Sequence, residues 1–288
     1  MNPGEGLTEQ YAVLPDGRKL RTIVAGAGPG PLVVFEAGMS APAASWIHTQ
    51  REISAHARTL SYDRAGYGGS DVDRHDRTLE RLADDLTSLL DALNETGPVV
   101  LVGHSWGGPI IREFADRHPD RVAGLVFVDA SLAEVMPEKP AKMKRAFQLL
   151  ALVGQLGGKN LIRRATVQHP FSPEISETDV AILLRDYACA QAMRAGAREA
   201  AQLGPALETM RRLQATGTPD VPTVCLQAGR VDRGMTMLRP IFNQTATDLM
   251  DAVPNGTCIV VENAGHLIPQ EQPAAVRDAI LKVVAQSN

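Results

Sequence analysis

Val99-Val100-Leu101-Val102-Gly103-His104-Ser105-Trp106-Gly107-Gly108 is an apolar run that breaks into the pattern G-x-S-x-G. The run predicts a strand, and the residues after it predict a helix. A serine at such a junction sits on a sharp turn, where a Cβ on either flanking glycine would strike the neighbouring strand or the new helix. The hydroxyl of Ser105 then projects from the end of the strand, placed to attack a carbonyl. Five residues carry little information by themselves, so the rest of the chain decides whether this is a nucleophile or only a turn.

Further strand-like runs, rich in Val, Leu, Ile and Thr, occur at 19–24, 32–36, 59–62, 122–128, 223–227 and 257–261. Several are apolar throughout, which suits strands of a parallel sheet covered by helices on both faces. Helical patterns separate most of them. At 78–93, Leu79, Leu82, Leu86, Leu89, Leu90 and Leu93 form one stripe that ends before Gly97-Pro98. A second helix is expected over 271–285, with Pro273 in its first turn and Val276, Ile280, Val283 and Val284 facing the sheet. The first two strands flank Pro15-Asp16-Gly17 as a hairpin. The fold class is therefore α/β, with a mostly parallel central sheet flanked by helices.

The alternation stops after Asp129. From Ser131 to about Gly217 the patterns are helical and broken by loops, so residues 1–130 and 218–288 are expected to form the core domain and 131–217 an inserted helical cap. Such a cap would lie over the carboxyl ends of the strands, where open α/β sheets bind ligands. Within it, Lys142, Lys144 and Arg145 precede the apolar run Phe147 to Val153. That combination suits either a membrane-surface helix or a lid over an apolar pocket, and the lid is the favoured expectation because the chain offers no second anchor.

The 288 residues include 33 acidic and 29 basic ones in scattered order, giving a formal charge of −4. Nothing in that distribution suggests a nucleic-acid partner. Cys189, Cys225 and Cys258 lack C-x-x-C spacing and are read as reduced, buried residues. The stretch Met1 to Gly6 has neither a basic n-region nor an apolar h-region, and no run approaches the roughly 18 apolar residues of a membrane span. A cytoplasmic protein without stable membrane association is expected. No H-E-x-x-H, Cys/His cluster or calcium-type carboxylate run occurs, and Gly66, Gly68 and Gly69 lack dinucleotide spacing, so neither metal nor cofactor is expected.

Two more segments complete a chemical set. Val260-Val261-Glu262-Asn263-Ala264-Gly265-His266 places a histidine just beyond a strand. Pro222-Thr223-Val224-Cys225-Leu226-Gln227-Ala228-Gly229-Arg230-Val231-Asp232 places a carboxylate after another. The order Ser, Asp, His differs from that of the two common serine protease folds. Together with Phe35-Glu36-Ala37-Gly38-Met39 and Tyr62-Asp63-Arg64-Ala65-Gly66-Tyr67-Gly68-Gly69-Ser70, the chain resembles capped members of the α/β-hydrolase superfamily. That group includes carboxylesterases, lactonases, cofactor-free haloperoxidases, carbon-carbon bond hydrolases and proline iminopeptidases.

The resemblance, over about 20–129 and from 219 to the C-terminus, implies Ser105 as nucleophile, His266 as base and then acid, and Asp232 as the carboxylate orienting the imidazole. Asp129, at the end of the preceding strand, is the rival for that last role. The oxyanion hole would comprise the backbone N–H groups of Met39 and Trp106. Ala37 stands where the family often has histidine, so the side chains bracing that loop must differ. Gly38, His104, Phe147 and Leu150, with Met39 and Trp106, are expected to shape a mainly apolar substrate site. His48, His56, His75, His118 and His169 are read as solvated or locally bonded, and Asp63 with Arg64 as a structural turn network. The expected substrate is a small ester or lactone. The alternatives are an amide or iminopeptide hydrolase, with Glu174 or Glu177 holding an amine, and a non-enzymatic ligand receptor.

Overall fold

Side chains alternate across the strand 99–104, so its unbroken apolar run feeds two cores at once. Val99 and Leu101 pack with Leu60, Leu86, Phe114 and Leu125 on one face, while Val100 and Val102 pack with Phe35, Val126, Leu226 and Ile280 on the other. This is the packing a parallel strand buried on both sides requires. The computed structural model describes residues 6–136 and 140–287, so most of the Met1 to Gly6 stretch lies outside the described residues.

The strands are β1 (Leu7–Val13), β2 (Lys19–Ala25), β3 (Leu32–Glu36), β4 (Thr59–Tyr62), β5 (Val99–His104), β6 (Val122–Val128), β7 (Thr223–Ala228) and β8 (Gly256–Val261). They form one eight-stranded sheet in the order β1-β2-β4-β3-β5-β6-β7-β8. β2 is antiparallel to β1 and β4, and every other pairing is parallel. The expected hairpin is present, closed by the Gly17 amide on the Leu14 carbonyl.

The helices are α1 (Ile47–Ile53), α2 (Leu79–Ala92), α3 (Gly107–Arg117), α4 (Pro140–Gln155), α5 (Lys159–Thr166), α6 (Glu177–Tyr187), α7 (Ala190–Ala200), α8 (Leu203–Thr216), α9 (Arg239–Asp251), α10 (Ile268–Glu271) and α11 (Pro273–Gln286). The Thr78 side chain caps α2, whose leucine stripe is buried from Leu79 to Leu90. The helix expected over 271–285 is α11, with Pro273 in its first turn and Val276, Ile280, Val283 and Val284 buried, and the short α10 precedes it. Gln272 leaves helical geometry at φ −139°, and Pro273 starts α11. A proline disfavours helical geometry in the residue before it and suits a first helical turn. Between β6 and β7 the described residues hold a 3-10 turn at Ala133–Val135, five α-helices, α4 to α8, and no strand.

The cysteines are free, but only Cys225 is fully buried. Cys189 sits half-buried as the N-cap of α7, and Cys258 is half-buried opposite Cys225 on the outermost strand β8.

Candidate active site

Ser105 stands between β5 and α3 at φ 52°, a left-handed conformation that costs a non-glycine residue of order 1 kcal/mol or more. Three backbone hydrogen bonds hold it there. The Ser105 amide donates to the Val128 carbonyl (3.1 Å), and its own carbonyl accepts from Gly108 (3.0 Å) and Ser131 (2.9 Å). A Cβ on Gly103 would fall 2.8 Å from the Gly107 carbonyl, and one on Gly107 would collide with the Glu36 carbonyl. The glycines thus let α3 start directly against β3 and β5.

The next strand end repeats the device. Asp129 follows β6 at φ 41°, with its amide on the Leu226 carbonyl (2.8 Å). Its carboxylate points along the same sheet edge as the serine. The Ser105 hydroxyl donates to His266 Nε2 (3.0 Å), and His266 Nδ1–H donates to Asp129 Oδ2 (2.7 Å). The hydrogen-bonded series is therefore Ser105, His266, Asp129.

The expectation that Asp232 orients the imidazole is corrected by this geometry. Asp232 Oδ2 accepts the backbone amide of His266 (2.7 Å), and Oδ1 accepts from His169 Nε2 (2.9 Å). Gly265 lies so close that a Cβ there would overlap the Asp232 carboxylate. Asp232 thus holds the backbone of the His266 loop, while Nδ1 is bonded to Asp129. Glu271 assists by accepting the Gly265 amide (2.7 Å).

Two residues that the sequence reading did not assign to the site support this arrangement. Arg239, at the start of α9, donates to Asp129 Oδ1 (2.6 Å) and Oδ2 (2.9 Å), and the Ala228 amide adds a bond to Oδ1 (3.1 Å). Burial alone would raise the Asp129 pKa, but the bonds from His266 and Arg239 outweigh it and hold the carboxyl below its ordinary range. His169, read as solvated or locally bonded, instead reaches across the site from the α5–α6 loop to Asp232.

His104 is buried, and its Nε2–H donates to the His266 carbonyl (2.8 Å) while the two rings lie 4.9 Å apart. Burial and the neighbouring His266 lower its pKa to about 3 from 6.5. In the unfolded chain it binds a proton below about 6.5, whereas in the folded protein it does so only near 3. Its contribution to stability is therefore complete above pH 6.5 and is lost as pH falls toward 3, with a slope of up to about 1.4 kcal/mol per pH unit. His104→Gln should flatten this acid limb in urea unfolding compared at about pH 7.5 and about pH 5. An unchanged acid limb would show that His104 protonates as freely in the folded protein as in the unfolded chain.

The loop carrying Met39 is braced by Arg64, which donates to the Ala37 (2.6 Å) and Gly38 (2.9 Å) carbonyls. Arg64 is itself held between Glu36 (2.6 Å) and Glu199 of α7 (2.8 Å). The backbone N–H groups of Met39 and Trp106 donate to no backbone carbonyl among the described residues.

A cavity of about 140 Å³ opens on Ser105 and His266. Gly38, Met39 and His104 line it, together with Val167, Phe171, Leu183, Tyr187 and Leu267. Phe147 and Leu150, expected there, do not reach it. They lie on the inner side of α4, packed on Tyr67, Ala192 and Met193, and the Phe147 ring rests on Gly196. The Trp106 side chain is also elsewhere, buried among Leu79, Leu82, Ile110 and Leu203. Glu174 and Glu177 are exposed outside the cavity.

The chain matches the model of the alpha/beta hydrolase family over residues 33–279 and belongs to that family. Among curated relatives, a cis-3-alkyl-4-alkyloxetan-2-one decarboxylase of Xanthomonas campestris is 32% identical over 146 residues, 48% of this chain and 49% of that protein. Among solved structures, an esterase from Thermogutta terrifontis superposes with a TM-score of 0.73 at 23% identity, covering 97% of this chain and 99% of the other. The epoxide hydrolase VrEH1 of Vigna radiata gives 0.78 at 21% identity, covering 98% and 99%. The structural likenesses show the fold alone. The matched segments span less than half the length of the curated relatives.

Proposed function

We propose that this protein is a serine hydrolase that cleaves small, mainly apolar carboxylic esters or lactones through an acyl-enzyme on Ser105. The observation that carries the reading is the unbroken hydrogen-bonded series from Ser105 Oγ through both nitrogens of His266 to Asp129. His266 Nε2 takes the hydroxyl proton as Oγ attacks the carbonyl, and Asp129 holds the imidazole tautomer and offsets the charge that forms. The amides of Met39 and Trp106 would receive the oxyanion. His266 then returns the proton to the leaving alkoxide, and a water activated by the same imidazole releases the acid. In a lactone the leaving alkoxide stays tethered to the acyl group.

Relatives and structural neighbours include an esterase, an enol-lactonase and epoxide hydrolases. The serine favours the acyl substrates. Opening an epoxide on Ser105 would leave an alkyl ether with no carbonyl for water to attack, so the enzyme would not turn over. An ester on the same oxygen is hydrolysed by a second addition and elimination. The amide or iminopeptide reading is weaker because the two carboxylates lining the cavity are engaged, Asp232 with His169 and Glu271 with Arg230. The helices α4 to α8 serve, in this reading, as the cap, with Val167 and Phe171 of the α5–α6 loop and Leu183 and Tyr187 of α6 supplied to the acyl pocket.

Aryl esters of increasing acyl length test the proposal. Each methylene buried against Phe171 and Leu183 should raise kcat/KM about fourfold, from about 0.8 kcal/mol of transfer free energy, until the cavity is full. Turnover of proline arylamides above every ester and lactone would overturn the assignment.

A further inference from the structure

The helix α4 is apolar on two sides, and only one of them is used. At 100° per residue Lys142, Arg145, Leu149, Leu152 and, just past the end of α4 with its amide on the Leu152 carbonyl, Leu156 fall within about 80° of arc. This arc faces outward. Leu149, Leu152 and Leu156 are 62%, 58% and 89% exposed, and Leu161 on the adjoining α5 is 56% exposed. Ala151 and Ile162, on the opposite sides, are buried in the cluster with Ala188, Ala192 and Met193. The outer leucines are therefore not a lid over the cavity, as the sequence suggested, but an apolar strip on the surface.

The charge around this strip is one-sided. From Pro140 to Pro173 the chain carries Lys142, Lys144, Arg145, Lys159, Arg163 and Arg164 and no carboxylate, although the whole chain has a charge of −4. All six cations are exposed, and none joins an ion pair among the described residues. Beside Lys144, the hollow between α4 and α7 is lined by Arg194 and Arg198, with Asp76 its one carboxylate.

We propose that the outer face of α4 and α5 is a docking surface for an anionic lipid membrane, to which the protein attaches peripherally through the four leucines and the exposed cations Lys142, Arg145, Arg163 and Arg164. An amphipathic helix lying in the interface buries its apolar residues at the acyl boundary while its cations meet anionic headgroups. A two-fold dimer on the same face would bring the cations of one copy against those of the other and is disfavoured. No helix among the described residues is long and apolar enough to cross a membrane, so attachment is to one surface only. α5 ends at Thr166, which with Val167 lines the cavity, so the docked face is continuous with the rim of the site.

Cosedimentation of the full chain with vesicles tests this without reference to catalysis. Binding should be at least about tenfold stronger to phosphatidylcholine vesicles carrying roughly one third phosphatidylglycerol than to phosphatidylcholine alone, and high salt should weaken it. The combined change Leu149→Gln, Leu152→Gln, Leu156→Gln should reduce it about tenfold or more, as should Lys142→Gln, Arg145→Gln, Arg163→Gln, Arg164→Gln. In a separate variant, Leu152→Trp should show a blue-shifted emission on the anionic vesicles, readable even if the multiple variants fold poorly. Equal affinity for neutral vesicles, no binding to either, or an unshifted Leu152→Trp emission would overturn the proposal. So would a concentration-dependent dimer in light scattering that the leucine substitutions abolish, which would make a second copy the occupant.

Discussion

Replacing Asp129 by asparagine is expected to lower kcat by up to about four orders of magnitude, while Asp232→Asn should cost far less. The difference follows from which atom of His266 each carboxylate holds. Asp129 Oδ2 takes the Nδ1–H, so the proton is directed away from Nε2, leaving that atom free to accept from Ser105. An asparagine amide presented to Nδ1 favours the other tautomer, in which Nε2 carries the proton and cannot act as a base. It would also leave Arg239 without a carboxylate to face in a buried site, so a loss of stability of about 3–5 kcal/mol should accompany the kinetic loss.

Asp232→Asn, by contrast, keeps an oxygen that can still accept the His266 backbone amide, and weakens mainly the bond from His169. Both variants should be checked by circular dichroism before their rates are compared. A nearly wild-type Asp129→Asn beside an inactive Asp232→Asn would return the orienting role to Asp232.

Ser105→Ala is the second large effect expected, a loss of several orders of magnitude in kcat with little change in stability. The loss follows because members of a triad act as a unit, and removing the nucleophile leaves only binding and the oxyanion donors. Alanine should cost little in the fold because the elbow is held by backbone bonds to Val128, Gly108 and Ser131, none of which involves the hydroxyl. A fluorophosphonate should label wild-type Ser105 stoichiometrically, with inactivation in proportion to labelling. Stoichiometric labelling at another residue, or full activity in Ser105→Ala, would remove the acyl-enzyme from the mechanism.

The sequence by itself determined the features that local chemistry governs. Composition revealed the strands β2 to β8, most plainly β3, β5 and β6, because a strand buried on both faces has to be largely apolar. The leucine stripe of α2 was legible because helical spacing alone puts Leu79 to Leu90 on one side. Gly103 and Gly107 announced the turn at Ser105 because only glycine permits that close approach.

Tertiary structure alone decided matters in which two local readings were equally good. Asp129 and Asp232 each follow a strand at the same sheet edge, and only the path of the loop from Ala264 to His266 determines which carboxylate meets Nδ1 and which meets the backbone. Arg239 is 110 residues from Asp129, and His169 is 63 from Asp232, so neither pairing leaves a trace in local pattern. On α4 the periodicity identified a helix but could not rank its two apolar sides. The side bearing Phe147 and Leu150 packs inward because the small residues Ala192, Ala195 and Gly196 of α7 leave room for it, and that choice turns Leu149, Leu152 and Leu156 out to the surface.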